Sequence, residues 1–178
     1  MEQHCQGNHL DIACGTGFWL PHYAKKCHHI TLVDQSEKML AECRKKAVEA
    51  GVFDKCQFIC AEILNYFFSN NHYDSVLFGF FLSHLTSEQE AKLFTMLRTL
   101  LMKDGTFLIL DSLWNAERAT HRKKEGIQDR LLNDGRRFEI YKKYFTTIDF
   151  AMMAETYHVD VSILHEGRTF IAARGKFV

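Results

Sequence analysis

The residues best placed for chemistry stand close together near the N-terminus, in Asp11-Ile12-Ala13-Cys14-Gly15-Thr16-Gly17, between His9-Leu10 and Phe18-Trp19-Leu20. A short apolar run ends in an acid, two glycines follow one residue apart, and a helical pattern comes next. That order describes a strand delivering the chain into a tight turn at a helix start. Glycine lets backbone turn sharply and approach a ligand without a Cβ in the way. The helix start adds unpaired N–H groups and partial positive charge. A second apolar run, Thr31-Leu32-Val33, closes on Asp34. An acid at the tip of the second strand of such a unit is placed to accept both hydroxyls of a ribose. The chemistry implied is capture of a nucleoside-bearing ligand against the turn.

Dinucleotide binding is one candidate, and its G-x-G-x-x-G fingerprint needs a third glycine for close helix–strand packing. Counted from Gly15 and Gly17, that position is Leu20, so the fingerprint fails. Composition removes other classes. The chain has 178 residues, 47% of them apolar, and a formal net charge of zero. Its length suits one domain with a full three-layer core. A nucleic-acid backbone calls for a basic surplus, and the balance shows none. No apolar run reaches the ~18 residues that cross a bilayer. Six cysteines without C-x-x-C spacing indicate reduced thiols and a cytoplasmic protein. On one strand Cys56 and Cys60 would stand ~13 Å apart, too far to bridge, and Cys14 fits a small buried filler. The ten histidines are scattered, with no two-His helical spacing beside an acid, so no metal site is expected.

The elements that must position these residues alternate β and α. Strands are expected over 8–13, 29–33, 55–60, 74–79 and 106–110. Helices are expected over 18–26, over 36–50 (capped by Ser36 and stopped by Gly51) and over 87–102. Right-handed crossovers make the five strands one parallel sheet with helices on both faces. Residues 112–145 read as a charged helical, lid-like insertion. A last helix from Thr146 or Thr147 to Tyr157 leads into two strands, 158–164 and 169–173, joined by His165-Glu166-Gly167-Arg168 as a hairpin.

With an acid ahead of the glycine turn and a hairpin closing the sheet, the chain resembles the class I S-adenosylmethionine (SAM)-dependent methyltransferases over roughly residues 8–175. Its nearest branch is similar to the small-molecule ubiquinone/menaquinone C-methyltransferases. The resemblance implies an α/β, Rossmann-like, doubly wound seven-stranded sheet of order 3-2-1-4-5-7-6, parallel with an antiparallel C-terminal hairpin, in a single domain. It implies SAM as cofactor, with S-adenosylhomocysteine (SAH) as product. Asp11, Ala13, Gly15 and Gly17 would lie against its amino-acid end, with Ala13 standing where many members carry glycine. Asp34 would take the ribose, Gln35 or Met39 would line the adenine, and Glu62 with Ile63 would receive the adenine amino group. Phe78 and Phe80, in the stretch running to His84-Leu85, would flank the methionine moiety. Members usually carry an N-terminal cover helix before the first strand, for which seven residues ahead of Asn8 are too few. The expectation is either a truncated chain or an open, weakly binding cleft whose cover comes from residues 112–145, a partner subunit or a second copy.

Methyl transfer is an in-line displacement at an already activated carbon, so positioning does most of the work, worth ~7–11 kcal/mol. Phe80, Phe81 or Trp19 can favour the cation by ~0.5–2 kcal/mol. Where the acceptor must lose a proton, His84 is the first candidate base, with Tyr144 behind it. Several acceptors are disfavoured. The D/N-P-P-Y/F turn of amino-methylating enzymes is absent, because the chain's single proline is Pro21. There is no Pro-Cys or Thr-Cys pair for cytosine chemistry, nor a Glu pair to grip an arginine. A small-molecule acceptor remains, with Trp114, Arg136 and Arg137 as substrate-side candidates, the arginines offering a bidentate grip on an acidic group. Two further readings stay open: a catalytically silent scaffold of this fold, and a nicotinamide oxidoreductase, which Leu20 and the terminal hairpin disfavour.

Overall fold

A computed structural model describes residues 1–68, 72–132 and 134–178. Among the described residues, nine strands and five α-helices follow one another as β1 (Gly7–Ile12), α1 (Leu20–Tyr23), β2 (Cys27–Asp34), α2 (Glu37–Glu49), β3 (Cys56–Cys60), β4 (Tyr73–Gly79), α3 (Ser87–Leu100), β5 (Leu101–Ser112), α4 (Ala116–Ala119), β6 (Glu125–Leu131), β7 (Arg137–Lys143), α5 (Thr147–Tyr157), β8 (Val159–Glu166) and β9 (Phe170–Phe177). Seven strands form one sheet in the order β3-β2-β1-β4-β5-β9-β8. Pairing is parallel from β3 through β5, and β9 runs antiparallel to both β5 and β8. This is the expected order; only the numbering shifts, because β6 and β7 lie outside the sheet.

The sheet is covered on both faces, and its central strands show why. Val76 and Phe78 on β4, with Phe107 and Ile109 on β5, pack with Leu93, Phe94 and Leu97 of α3 and Phe150 of α5. The alternate residues Leu77, Leu108 and Leu110 turn to the other face, against Leu20 of α1 and Leu40, Cys43 and Ala47 of α2. A period of two that is apolar on both sides is what a parallel strand between helix layers requires. Helix starts are fixed locally. Ser36 Oγ accepts from the Met39 amide at α2, and Thr86 with Gln89, then Thr146 with Asp149, close capping boxes at α3 and α5.

Two expectations need correction. The first helix is shorter than 18–26: α1 has four residues and passes into a 3₁₀ turn, Ala24–Lys26. More important, the 112–145 insertion is not helical. Beyond the single turn α4, β6 and β7 pair antiparallel as a separate two-stranded sheet, Glu125 opposite Lys143 through Leu131 opposite Arg137. Charged residues at both strand positions disguise an alternating pattern in which Gln128 and Lys142 are buried while Ile127 and Leu131 face outward. The excursion starts and finishes at one point: Leu113 bridges Phe145, the Phe145 amide donates to the Ser112 carbonyl (2.9 Å) and the Trp114 amide to the Phe145 carbonyl (2.8 Å). Among the described residues no helix is long and apolar enough to cross a membrane.

Candidate active site

In an open α/β sheet the binding crevice lies at the carboxyl ends of the strands, where the strand order reverses. Here β1 has β2 on one side and β4 on the other, so the reversal falls beside the glycine turn. Two adjoining cavities occupy that edge. The larger, about 740 Å³, is bordered by Asp34, Gln35, Glu62, Ile63, Phe81 and His84. The smaller, about 440 Å³, is bordered by Gly15, Thr16, Trp19, Gly79 and Phe80, with Asp11 at its base. Ala13 lines both, so the turn divides one continuous groove.

Asp34 organises the turn. One carboxylate oxygen accepts from the Gly15 amide (2.9 Å) and the other from the Ser36 amide (2.8 Å). Each oxygen keeps a lone pair free for a ligand hydroxyl. Ala13, Gly15 and Gly17 take φ of +53°, +55° and +70°, the left-handed region that costs an L-residue about 1–2 kcal/mol. Glycine is needed at two of them for different reasons. A Cβ on Gly15 would meet nothing within 4 Å, whereas one on Gly17 would lie 2.6 Å from Cys43 Sγ. Gly17 therefore serves close packing of the turn on α2 and does not line the groove. Asp11 is buried, and its carboxylate accepts from the Tyr23 hydroxyl at 2.6 Å. Burial pushes its pKa up to about 7, against the lowering effect of that bond.

At the far end of the larger cavity Glu62 accepts from the Asn65 amide nitrogen, and Asn65 in turn accepts from Lys92 Nζ at 2.9 Å. Sequence reasoning missed both residues, for they lie in a 3₁₀ turn and on a helix face with no motif. Phe80 holds φ +55°, a strained conformation for a bulky residue. Its amide donates to the Leu110 carbonyl (2.7 Å), and its ring stacks over Trp19 at 6.5 Å. Gly79 permits this, because a Cβ there would sit 2.9 Å from Trp19 Nε1.

His84 reaches the larger cavity from the turn after β4. Its Nδ1 stands 3.0 Å from the Tyr141 carbonyl of β7. A carbonyl only accepts, so Nδ1 carries the proton and Nε2 keeps a lone pair. Burial, then the Lys142 ammonium, hold its pKa below the usual imidazole range. Next to it a buried cluster docks the β6–β7 hairpin onto the sheet. Lys142 Nζ donates to Ser83 Oγ (2.5 Å) and stands 3.5 Å from Asp111, while Asp111 accepts from the Ser83 and Ser112 amides. Asp111 closes β5 as Asp34 closes β2, a signal present in the sequence; Lys142 is masked by the charged run around it.

Other expected site residues lie elsewhere. Phe78 is fully buried and stacks on Phe107 in the core, because its strand position points into the α3 layer. Met39 is exposed in the first turn of α2 and borders neither cavity. Tyr144 is buried under the hairpin, its hydroxyl near Gln128 (3.4 Å) and Arg130 (3.5 Å), and it borders neither cavity of the groove. Burial raises its pKa, but Arg130, Arg122 and Arg118 outweigh that and bring it below the usual phenol range. Trp114 packs on Tyr144 at 5.8 Å. Arg136 stands at the exposed hairpin tip, paired with Asp134, and Arg137 beside it is exposed; neither borders the groove.

This arrangement has counterparts among known proteins. A family model described as a methyltransferase domain matches residues 10–105. The ubiquinone/menaquinone biosynthesis C-methyltransferase UbiE of Pseudomonas fluorescens (strain Pf0-1) is 33% identical over 105 residues, 57% of this chain and 40% of that protein. UbiE of Roseobacter denitrificans is 32% identical over 84 residues, 46% of this chain and 34% of that protein. The chain thus matches well under half the length of these relatives. Among solved structures, a DhpI-SAM-HEP complex superposes with a TM-score of 0.83 at 21% identity, covering 97% of this chain and 79% of that one. The glycopeptide N-methyltransferase MtfA complexed with SAM gives 0.72 at 17% identity, covering 97% and 88%. Those likenesses show the fold, and the match across more than half of the sequence, through the glycine turn, Asp34 and Glu62, makes the chain a member of the methyltransferase-domain family.

Proposed function

We propose that the chain is a SAM-dependent methyltransferase acting on a small-molecule acceptor. The observation that carries this reading is Asp34, both of whose oxygens are aimed by backbone N–H groups while it borders a cavity of about 740 Å³, a size typical of ligand sites. The residues present fit the cofactor. Asp34 would hold the ribose, Glu62 with its Asn65–Lys92 support the adenine amino group, and the turn from Ala13 to Thr16 the amino-acid end. Bound there, SAM supplies a methyl group on a positively charged sulfur, already activated for displacement.

The remaining work belongs to this chain's own side chains. Trp19 and Phe80 present aromatic faces at the smaller cavity, which favour a cation by ~0.5–2 kcal/mol. His84, neutral and with Nε2 free, takes a proton from an acceptor that must lose one. The hairpin held by Lys142 and Asp111 fixes the His84 ring through the Tyr141 carbonyl. All six cysteines are free thiols, which supports a reducing, cytoplasmic setting. The names of the UbiE relatives and of the SAM-bound neighbours support the same cofactor.

Calorimetric titration of SAM, SAH and NADH into the purified chain tests the proposal, repeated with Asp34→Ala. Saturable binding of the first two, weakened at least tenfold in the variant, is expected. Binding of NADH instead, or SAH affinity unchanged by Asp34→Ala, refutes the assignment. Absence of binding by all three favours a catalytically silent member of the fold.

A further inference from the structure

Under the β6–β7 hairpin, three cations converge on one buried tyrosine. An Arg130 Nη stands 3.5 Å from the Tyr144 hydroxyl, the Arg118 guanidinium lies 4.8 Å over the Tyr144 ring, and Lys142 Nζ is 5.7 Å from the same ring. One carboxylate opposes them, that of Asp111, which is fully buried and serves Lys142. Arg118 is oriented by donating to the Thr169 carbonyl at 3.0 Å. Among the described residues neither Arg118 nor Arg130 has a carboxylate within 4.0 Å. The contrast within the same segment is informative: Arg136, Lys124 and Lys143 each have an acidic partner. Half-buried guanidinium groups left without an anion are costly unless something else neutralises them.

The location gives the surplus charge a use. Lys142 binds Ser83, the residue before His84, and the neighbouring Tyr141 carbonyl fixes the His84 ring. Lys142 therefore adjoins the turn that carries His84, and the charges of Lys142 and Arg130 both act on the His84 ring. We propose that Arg130 and Arg118, with Lys142 beside them, form a subsite for an oxyanion, through which the chain holds a carboxylate or phosphoryl group of its methyl acceptor. Guanidinium suits either group, since it offers paired N–H donors to two oxygens at once. The subsite deepens the methyltransferase reading and rests on it for what the anion belongs to; anion binding itself needs no cofactor.

The test titrates sodium phosphate and, separately, sodium acetate into ¹⁵N-labelled chain in low-chloride buffer, with SAH titrated in parallel. Saturable shifts of the Tyr144 and Arg130 amides are expected. Arg130→Gln and Arg118→Gln should each weaken the better anion at least tenfold, Arg130→Lys no more than about threefold, and Arg136→Gln not at all. Tighter phosphate binding names a phosphoryl acceptor, tighter acetate binding a carboxylate. No saturable shift with either anion, or equal weakening by Arg136→Gln, overturns the subsite. SAH binding without anion binding rejects this inference and leaves the cofactor reading standing. Anion binding without SAH binding sustains the subsite and rejects its link to methyl transfer. Circular dichroism of each variant separates loss of the subsite from loss of fold, and Arg130→Lys keeps the comparison decisive if a glutamine variant unfolds.

Discussion

The glycine turn makes a graded prediction, because three neighbouring residues share a left-handed backbone for different reasons. Ala13 holds φ +53° with a side chain present. Ala13→Gly relieves a strain of about 1–2 kcal/mol and adds about 0.5–1 kcal/mol of unfolded-state entropy. The net is a gain of roughly 0.5–1 kcal/mol, or a Tm higher by about 1–4 °C in a chain of this size. Gly15→Ala runs the same balance backwards and loses about 0.5–1 kcal/mol, since its Cβ meets nothing within 4 Å. Gly17→Ala adds a collision, with Cβ 2.6 Å from Cys43 Sγ and 3.4 Å from Cys43 Cα. Overpacking of that kind adds about 1–3 kcal/mol, for a total near 2–4 kcal/mol. Urea unfolding followed by circular dichroism gives all three values, with the slope m checked for constancy. The double variant Gly17→Ala/Cys43→Ala separates strain from collision, since removing the sulfur should return at least half of the overpacking cost. If Ala13→Gly lowers the midpoint, or Gly17→Ala costs no more than Gly15→Ala, the account of this turn is wrong.

Two buried groups set opposite pH dependences. Asp11, raised to about 7 by burial, keeps a proton that the unfolded chain has released, so stability falls as pH rises from about 4 to 7. His9, lowered to about 3 by burial, refuses a proton that the unfolded chain takes up, so stability falls as pH drops below about 6.5. Urea midpoints between pH 4 and 6.5 should climb with pH in Asp11→Asn and decline with pH in His9→Asn; matching slopes in the two variants contradict this. Lys142→Met strands the buried Asp111 carboxylate and should cost about 3–5 kcal/mol, with faster hydrogen exchange at the 141–143 amides. Adding Asp111→Asn should restore part of that loss, and a double variant worse than the single one opposes the pairing. Once an acceptor is in hand, His84→Gln should lower kcat and leave SAH affinity unchanged. The acidic limb of the wild-type rate profile should then lie below about pH 6.5, since His84 is held under its ordinary range.

The parts of this molecule that follow local rules were readable from residues alone. Apolar runs ending in Asp34 and Glu62, the caps at Ser36 and Thr146, and a C-terminal hairpin each announce themselves by type and spacing. The hairpin turn, however, falls two residues later than 165–168, with His165 and Glu166 still in β8. Crossover handedness gives one parallel sheet, while the strand order comes from the resemblance to the class I methyltransferases. The 112–145 segment hid because its strands carry charges on both faces. Its inward charge Lys142 finds its partner Ser83 on another element, 59 positions away, and no local pattern names a partner at that distance. The same reason misplaced Phe78 and Tyr144. An aromatic at a strand end can face a helix layer or a ligand with equal propensity, and only the pleat register decides. Arg136 and Arg137 looked like the acceptor's grip because they cluster, yet a hairpin tip is where charge is cheapest to leave in water. Arg118 and Arg130, spaced apart in the chain, are the ones that folding brings together.

The closure of the excursion at Ser112, Leu113 and Phe145 bears on how such a protein can change over generations. The chain continues from β5 to α5 through residues already in contact, so the intervening stretch can be exchanged wherever the replacement keeps a cation opposite the buried Asp111. Lengthening it costs little, about 0.6 kcal/mol for each doubling of a flexible loop, and shifts neither Asp34 nor the glycine turn. On the proposed reading, acceptor preference can diverge by exchange of one hairpin while the pocket at Asp34 stays untouched. Lineages built this way would share the half of the sequence that ends near residue 105 and differ in the half that follows.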